Sequence, residues 1–494
     1  MEKRALAMIL LLFIASFLVK LHYMGKAPFI EDETLYAEMI AEESESLSLV
    51  PRYFGYPAPW KPGLYFLIYS FFLPLTSALF SSLEWIYRFP NLVFSLISAY
   101  LVFLLAKRFL GPEQALLSSL LFFSAITSFY VETRLLIEPM MLALILSSLF
   151  FYTKTNRKNT DFIAAGFLSL LAALTKSVIS LCIPLLALIY VFTHERWSLK
   201  NPVFLVSMLG APAGLVFFFL SLSQLGFAED VFLIDIGQTV IYNYSDTLAF
   251  TLRNLSNIFS FIFLFLVSLI VFFSKKQKPE PLLSAWLLLI IIPLLASTFR
   301  TWYLYYFIPP LAMLASSAIM GNSRLDWFSL FLTSIFVVMS IGTFAVSFAD
   351  WEAGPYSSIN DAKQAGLSLA GEGSTLFVGS YYYNTVAICY KSLEERRVIG
   401  EPLDFGYLLV RNPYGMEDFD SCAVALLENY TTDYYEFEEK RFAQFFWNST
   451  PFRKSTGIRE FRILVSSPPL EASPSGYSEK KEYSSIAVYR KGAQ

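Results

Sequence analysis

Charge is what this chain has least of. Only 16% of its 494 residues are Asp, Glu, Lys or Arg, where a soluble domain carries roughly a quarter. The net charge of −3 gives a nucleic-acid partner no electrostatic support, because phosphate contacts dominate that kind of affinity. Histidine occurs twice, at His22 and His194, and the topology derived below puts the two on opposite sides of a membrane, which argues against a His-based triad. There is no Gly-rich phosphate loop and no Cys/His cluster with metal-ligand spacing. Three cysteines do not make a disulfide scaffold. Cys182 lies in an apolar run and reads as packing, while Cys389 and Cys422 fall in the polar C-terminal region and leave one disulfide open.

What fills the chain instead is apolar: 55% hydrophobic and 17% aromatic residues. Several uncharged runs approach or exceed the ~18–20 residues that a membrane helix needs. The fold class expected is a polytopic α-helical membrane protein. The N-terminal run up to about Val19 has the outline of a signal peptide, but no convincing small-x-small cleavage site follows it. It is read as an uncleaved first helix.

Lys and Arg concentrate on the cytoplasmic side of membrane proteins. Lys3 and Arg4 therefore place the N-terminus inside, and helix 1 (about 5–23) leads out. If 64–80 were a span, Lys107/Arg108 and Lys154/Arg157/Lys158 would all fall outside. Laying 64–80 on the outer surface puts both clusters inside, and that is the reading adopted. Further spans then run at about 86–106, 112–131, 138–153, 161–175, 178–193, 203–222, 252–273, 282–298, 302–320 and 327–348, about eleven in all with helix 1. The loop 223–250 alternates apolar and polar residues in a way that suits a second surface-lying helix.

Residues 1–349 form the expected transmembrane domain, and 350–494 an extracytoplasmic domain. Beyond about Ala349 short β-type runs appear at Thr375–Gly379, Cys422–Leu427, Arg462–Ser466 and Ser485–Tyr489, with helix-like pieces at 360–370 and 434–446. That alternation points to a small α/β fold. Sequons at Asn243, Asn254, Asn429 and Asn448 all fall outside on this topology.

Against this apolar background one stretch stands out. Glu31 to Glu45 packs seven acids into fifteen residues, directly after the first apolar segment. Asp32 and Glu33 begin a helix-like run in which Leu35, Met39 and Ile40 are expected to face lipid while Glu38, Glu42 and Glu45 face water. The plain reading is a pair of acids favoured by the helix dipole. The functional one is a carboxylate at the membrane surface acting as general base or metal ligand.

Isolated cations lie on the same side: Lys61, Arg134, Lys176 and Arg300. Each has a bland reading as a side chain reaching for headgroups or water, and a sharper one as a contact to a phosphate. Glu132, Arg134 and Glu138 cluster at an outer helix end, where ionisable groups are functional candidates. Glu138-Pro139 reads as a first helical turn. Arg300 opens an aromatic cluster that includes Tyr303 and runs to Tyr306. One carboxylate with several cations suits a substrate whose leaving group is a phosphate. A transporter or lipid flippase is the alternative; it would place its charges near the midplane rather than at helix ends. A membrane-anchored binding protein working through 350–494 is a third reading.

The ordered series of motifs resembles the GT-C membrane glycosyltransferases that use polyprenyl-phosphate sugars, in particular the lipid A aminoarabinose transferase and protein O-mannosyltransferase-like group. The resemblance covers residues 1 to about 320. Asp32-Glu33-Thr34-Leu35-Tyr36-Ala37-Glu38 is similar to the family's D-E-x-x-Y-A-E segment. Val50-Pro51 through Lys61-Pro62 is similar to its V-P…(E/D)-K-P stretch, with Trp60 standing where an acid is usual. Arg88-Phe89-Pro90, Leu174-Thr175-Lys176 and Arg300 to Pro309 resemble its R-(F/A)-P, L-T-K and (R/K)-x-x-Y-x-L-P motifs. Glu138-Pro139 sits where many members have Asp-Pro or Asp-x-P.

The resemblance implies transfer of a sugar from a polyprenyl-phosphate donor to a lipid, glycan or protein acceptor outside the cytoplasm, with inversion. Asp32 would be the catalytic carboxylate and general base, with Glu33 beside it as a further catalytic residue. Lys61, Lys176 and Arg300 would hold the lipid phosphate. Tyr36, Arg134 and Tyr303 would line the substrate site, and Glu138 would stand near the sugar or a metal. No cofactor is required by any motif; a divalent metal ion stays open. The surface-lying segments would be the family's juxtamembrane helices, and the external α/β domain would match the aminoarabinose-type arrangement.

Overall fold

The structure is a computed structural model. It describes residues 3–30, 32–45, 47–48, 50–53, 56–58, 61–176, 178–224, 255–273, 279–296, 301–320, 326–353, 355–370, 375–379 and 381–399, together with strands at 407–410, 453–454, 463–467, 477–482 and 487–491. The surface helix expected in 223–250, the four sequons, Cys422, Arg300 and the helix-like piece at 434–446 lie wholly or mainly outside the described residues.

The chain opens with α1 (Lys3–Met24), whose Leu10, Leu11 and Leu18 side chains are exposed. After a short loop comes α2 (Asp32–Glu45), then a two-residue antiparallel pair, β1 (Arg52–Tyr53) and β2 (Tyr56–Pro57). Next are α3 (Leu64–Leu79) and α4 (Leu83–Phe109). α3 has 16 residues, about 24 Å of helix against a hydrocarbon core of ~30 Å. It buries Tyr65, Phe66 and Tyr69 inward and leaves Phe71, Leu75 and Leu79 exposed, so both faces are apolar and only one is covered by protein. α4 has 27 residues and ends on Lys107 and Arg108, cations suited to the negative end of the helix dipole.

The run expected as a single span at 112–131 is broken. α5 (Pro112–Phe123) and α6 (Ile126–Glu132) meet at a 58° bend. Apolar composition does not encode such a break; polar side chains arranged around it do. The freed Ile126 N–H donates to Ser260 Oγ at 2.8 Å, and Ser128 Oγ donates to the Phe122 carbonyl at 2.7 Å. The Ser16 and Ser124 hydroxyls meet at 2.7 Å. Backbone groups left open by a bend are tolerated at membrane depth only when neighbours satisfy them in this way.

α7 (Glu138–Tyr152) begins on Glu138 with Pro139 in its first turn, as expected. α8 (Asn159–Ala173), a 3-10 turn Val178–Leu181 and α9 (Cys182–His194) follow. α10 (Pro202–Ser207) and α11 (Gly210–Gln224) pack on α8 so closely that a Cβ at Gly210 would collide with the Gly166 carbonyl. Small residues permit such close helix approach in membranes. The bundle is completed by α12 (Leu255–Phe273), α13 (Pro281–Ala296), a 3-10 turn Thr301–Phe307, α14 (Ile308–Met320) and α15 (Trp327–Ala353). Among the described residues five helical stretches are long and apolar enough to cross a membrane, six if the bent pair counts as one span, and five more apolar helices are shorter.

The remaining residues hold α16 (Pro355–Ser368), α17 (Tyr381–Ile399) and a six-stranded sheet. Its strands are β3 (Thr375–Gly379), β4 (Tyr407–Val410), β5 (Arg453–Lys454), β6 (Ile463–Ser467), β7 (Tyr477–Glu482) and β8 (Ala487–Lys491). The order is β5-β4-β3-β6-β8-β7; β3 runs parallel to β4 and β6, and the other pairs are antiparallel.

Ser260 offers a test of the bend. Ser260→Ala leaves the buried Ile126 N–H without its acceptor, a loss of about 1–3 kcal/mol. Thermal unfolding of purified protein in detergent should show a lowered Tm, with the helix content at low temperature unchanged.

Candidate active site

The loop between α1 and α2 is fixed from beneath by Arg88 of α4, which is fully buried. Its Nε donates to Glu33 Oε1 at 2.8 Å and its Nη2 to Glu33 Oε2 at 3.0 Å. The remaining N–H groups go to the carbonyls of Met24 (2.8 Å), Ala27 (2.7 Å) and Pro28 (3.0 Å). Glu33 also accepts from the Leu135 N–H at 2.7 Å and from the Ile30 N–H at 3.3 Å. Both carboxylate oxygens are thus occupied by fixed partners, and the residue after Arg134 is drawn to the start of α2. Glu33, expected beside Asp32 as a catalytic acid, is in this geometry a holder of backbone.

Asp32 is different. It is the first residue of α2 and is only partly buried. Tyr36, one turn on, donates from its hydroxyl to Asp32 Oδ2 at 3.4 Å. Burial, reinforced by Asp32, Glu138 and Tyr303, holds the Tyr36 phenol well above its usual range, so it stays a proton donor.

Lys176 lies in the turn after α8 and is ion-paired to Glu138 at the start of α7. Its Nζ stands 4.5 Å from the Tyr303 ring centroid. Burial works against its charge, but Glu138, Tyr303 and Asp32 outweigh burial and keep the ammonium above its ordinary range. Asp32, Tyr36, Glu138, Lys176 and Tyr303 therefore share one electrostatic neighbourhood. These five come from four separate parts of the chain, and all of them are among the residues expected at the site from sequence.

Lys61 is partly exposed, three residues before α3. The Leu64 N–H at the start of α3 donates to the Leu174 carbonyl at 3.2 Å, which ties the Lys61 segment to the Lys176 turn. The Arg134 guanidinium stacks 4.2 Å from the Tyr130 ring centroid, and the Arg134 carbonyl accepts from Asn91. Among the described residues no group of three or more His, Cys, Asp or Glu side chains could hold a metal ion, and Glu138, the acid named for one, is engaged by Lys176.

The expected outward and lipid-facing split of α2 is corrected. Leu35, Met39 and Ile40 are packed in the core, and Glu38 and Glu42 are buried too. Glu38 and Glu42 face Arg396 of α17, a helix with no counterpart among the helices expected from sequence. A second cluster joins Glu132, one of the expected outer-end acids, to partners that the sequence does not point to. Lys20 of α1 is ion-paired to Glu132 of α6, which also accepts from Ser95 and, at 2.6 Å, from the Tyr305 hydroxyl. The available signal was a lone lysine in an apolar helix.

Residues 61–220 match the family model of dolichyl-phosphate-mannose-protein mannosyltransferases. Among solved structures, ArnT from Cupriavidus metallidurans bound to undecaprenyl phosphate is similar over 98% of this chain and 99% of its own, with a TM-score of 0.67 at 17% identity. The chain has the GT-C fold. ArnT in its apo state gives a TM-score of 0.63 at 14% identity, covering the whole of both chains. The archaeal oligosaccharyltransferase AglB from Archaeoglobus fulgidus, in complex with an inhibitory peptide and a dolichol-phosphate, gives 0.50 at 12% identity, over 93% of this chain and 69% of its own. A search of curated protein sequences gives no match. The resemblance read from the motifs holds: the protein is a membrane protein of GT-C architecture, and glycosyltransferase is the enzyme class that it resembles.

Two measurements test the local geometry. Arg88→Met leaves Glu33 buried without its cation, a loss of about 3–5 kcal/mol, and should sharply lower Tm and folded yield; the double variant with Glu33→Leu should recover part of both. Glu43 on α2 gives a pH signature. Burial, only partly offset by the Ser48 N–H and Arg52, pushes its carboxyl up from 4.5 to about 7. A raised folded pKa means that stability is lost as pH rises from 4.5 through 7. Glu43→Gln should therefore raise Tm at about pH 8 and leave it little changed near pH 4.5, as thermal melts across that range will show.

Proposed function

We propose that this chain is an integral membrane glycosyltransferase that moves a sugar from a polyprenyl-phosphate-linked donor to a lipid, glycan or protein acceptor outside the cytoplasm. The observation that carries the reading is the meeting of the Asp32 loop with the Lys176 turn: a partly exposed carboxylate, a buried tyrosine donor and a paired ammonium in one neighbourhood. Two relatives of this fold support a lipid-phosphate ligand, since ArnT was solved with undecaprenyl phosphate and AglB with a dolichol-phosphate.

In this reading Asp32 takes the proton of the acceptor nucleophile. The nucleophile attacks the anomeric carbon from the side opposite the phosphate and configuration inverts. The bond from that carbon to the phosphate oxygen breaks, and its electron pair leaves with the lipid phosphate. The ammonium of Lys176 has three N–H groups. Glu138 engages one, and among the described residues the others are not hydrogen-bonded, so the proposal gives them to phosphate oxygens. Lys61 and Arg300 complete the cation set, Arg134 lines the approach, and Tyr36 and Tyr303 position the sugar. Glu33 positions Asp32. Stabilisation of charge developing on the leaving phosphate is the main catalytic effect asked of the cations.

The architecture belongs to the same reading. With α3 lying on the outer surface, and with α5–α6 and α10–α11 each counted as one path, the crossing paths among the described residues would be α1, α4, α5–α6, α7, α8, α9, α10–α11, α12, α13, α14 and α15, eleven of them. An odd number carries the chain from a cytoplasmic N-terminus to an extracytoplasmic domain at 350–494.

The test is incubation of purified protein in nanodiscs with a panel of polyprenyl-phosphate sugars, scoring release of free lipid phosphate. Asp32→Asn should lower turnover by about a hundredfold or more with the Tm retained. Full turnover in a folded Asp32→Asn protein would overturn the mechanism. Movement of the donor between leaflets without bond cleavage would favour a flippase instead.

A further inference from the structure

Helix α17 supplies no group to the proposed reaction, yet it reaches the Asp32 loop at successive points along its length. The Tyr390 hydroxyl accepts from the Phe29 N–H at 2.8 Å and donates to Glu84 Oε1 at 2.6 Å, where Lys363 of α16 also binds at 2.5 Å. The Tyr390 ring stacks on Phe29 with centroids 5.4 Å apart and planes at 19°. The Cys389 thiol donates to the Thr34 carbonyl at 3.4 Å. Ser392 donates to Glu38 Oε1 at 3.1 Å. Arg396 forks over the acidic face of α2, with Nη2 2.8 Å from Glu38 and 3.5 Å from Glu42, and with Nη1 on Glu45.

These contacts bracket Asp32 in sequence. Phe29 precedes it, while Thr34 and Glu38 follow. An apolar patch would be enough to hold two folded regions together. Here buried polar groups are spent on the backbone of a loop and on three carboxylates of one helix, so direction and register are specified as well as proximity. Burial opposes the charge on Arg396, but Glu38, Glu45 and Glu42 outweigh that and hold the guanidinium above its usual range, which keeps the fork charged at every working pH.

We infer that α17 is a positioning element for Asp32: Tyr390 sets the path of the chain into α2, and Arg396 sets the rotation of α2 about its axis. The C-terminal region then contributes to turnover without touching substrate. This rests on the transferase reading given above.

The test uses the full chain in nanodiscs with two conservative variants. Tyr390→Phe keeps the stacked ring and removes both hydrogen bonds. Arg396→Lys keeps the charge and removes the fork, since one ammonium cannot reproduce planar bidentate geometry. Each should lower kcat by about tenfold or more through small misplacement of the reacting carboxylate, with KM for the donor within about twofold of the parent. Hydrogen exchange should show lost protection of the Phe29 amide in Tyr390→Phe, with the amides of α4 unchanged. Unaltered kcat in both variants would overturn the inference, and so would a fall in kcat matched by an equal rise in KM or by exposure of α4. If the parent protein cleaves none of the donors, the transferase reading fails separately. The exchange arm then decides alone: a deprotected Phe29 amide in Tyr390→Phe supports the brace, and an unchanged one overturns it.

Discussion

The structure depends on one buried ion pair. Arg88 and Glu33 come from different helices, and between them they hold the end of α1, the loop that follows, the start of α2 and the turn before α7. All five N–H donors of the guanidinium are used, three on carbonyls and two on the carboxylate. A buried pair of this kind is no more stabilising than well-packed apolar side chains would be. What it supplies is position. Carbonyls 24, 27 and 28 point inward because a fixed fork of donors awaits them, and Asp32 is thereby delivered to the edge of the bundle with its own carboxylate uncommitted to Arg88.

The same logic explains how seven acids can sit in fifteen residues next to an apolar bundle. Burying an unpaired carboxylate is costly, so the run survives only if its members are divided among partners. Glu33 goes to Arg88, while Glu38, Glu42 and Glu45 go to Arg396. Glu43 accepts from the Ser48 N–H at 2.8 Å, and its other oxygen is buried with no partner among the described residues, which is why its proton is held so tightly. Asp32 is left facing Tyr36 and the Lys176 cluster. A charge pattern that looks like a solvated face in one dimension is, in three, a set of separate attachments.

That contrast marks what could be read from the residues alone. The candidate site stands out in sequence because its members are polar groups in an apolar chain: Asp32, Glu138 and Lys176 are conspicuous by type, and Lys/Arg asymmetry assigns them to one side. The helices were legible by length and hydropathy, and three of the strands by β-type runs. The bend between α5 and α6 was not, because serines at 16, 124, 128 and 260 have no local pattern that points to a broken helix. Nor was the burial of α2. Its apolar residues at 35, 39 and 40 fit a lipid-facing stripe as well as a protein-facing one, and only the arrival of α17 from more than 340 residues away decides between them. The resemblance singles out Asp32 as the catalytic carboxylate, but residue type alone does not separate it from Glu33: neighbours in sequence, they part company only once Arg88 is in place.

The charge of the cluster explains why the resemblance calls for several cations instead of one. Around Lys176 stand two carboxylates, Asp32 and Glu138. A single ammonium between two carboxylates leaves the site short of positive charge, and a lipid phosphate brought to it would meet net repulsion. Glu138 can accommodate the phosphate by sharing the ammonium, since only one of three N–H groups is needed for the pair. On the proposed mechanism Asp32 cannot yield in the same way, because it would be the group that accepts the proton. The balance has to come from elsewhere on the same face. Lys61 is one described cation that could provide it, since its segment is joined to the Lys176 turn through the Leu64–Leu174 backbone bond. In the proposed reaction Lys61 would bring two carboxylates and two ammoniums to balance before the donor arrives, so that a phosphate seated between Lys61 and Lys176 would no longer meet net repulsion while Asp32 stays available to the incoming acceptor.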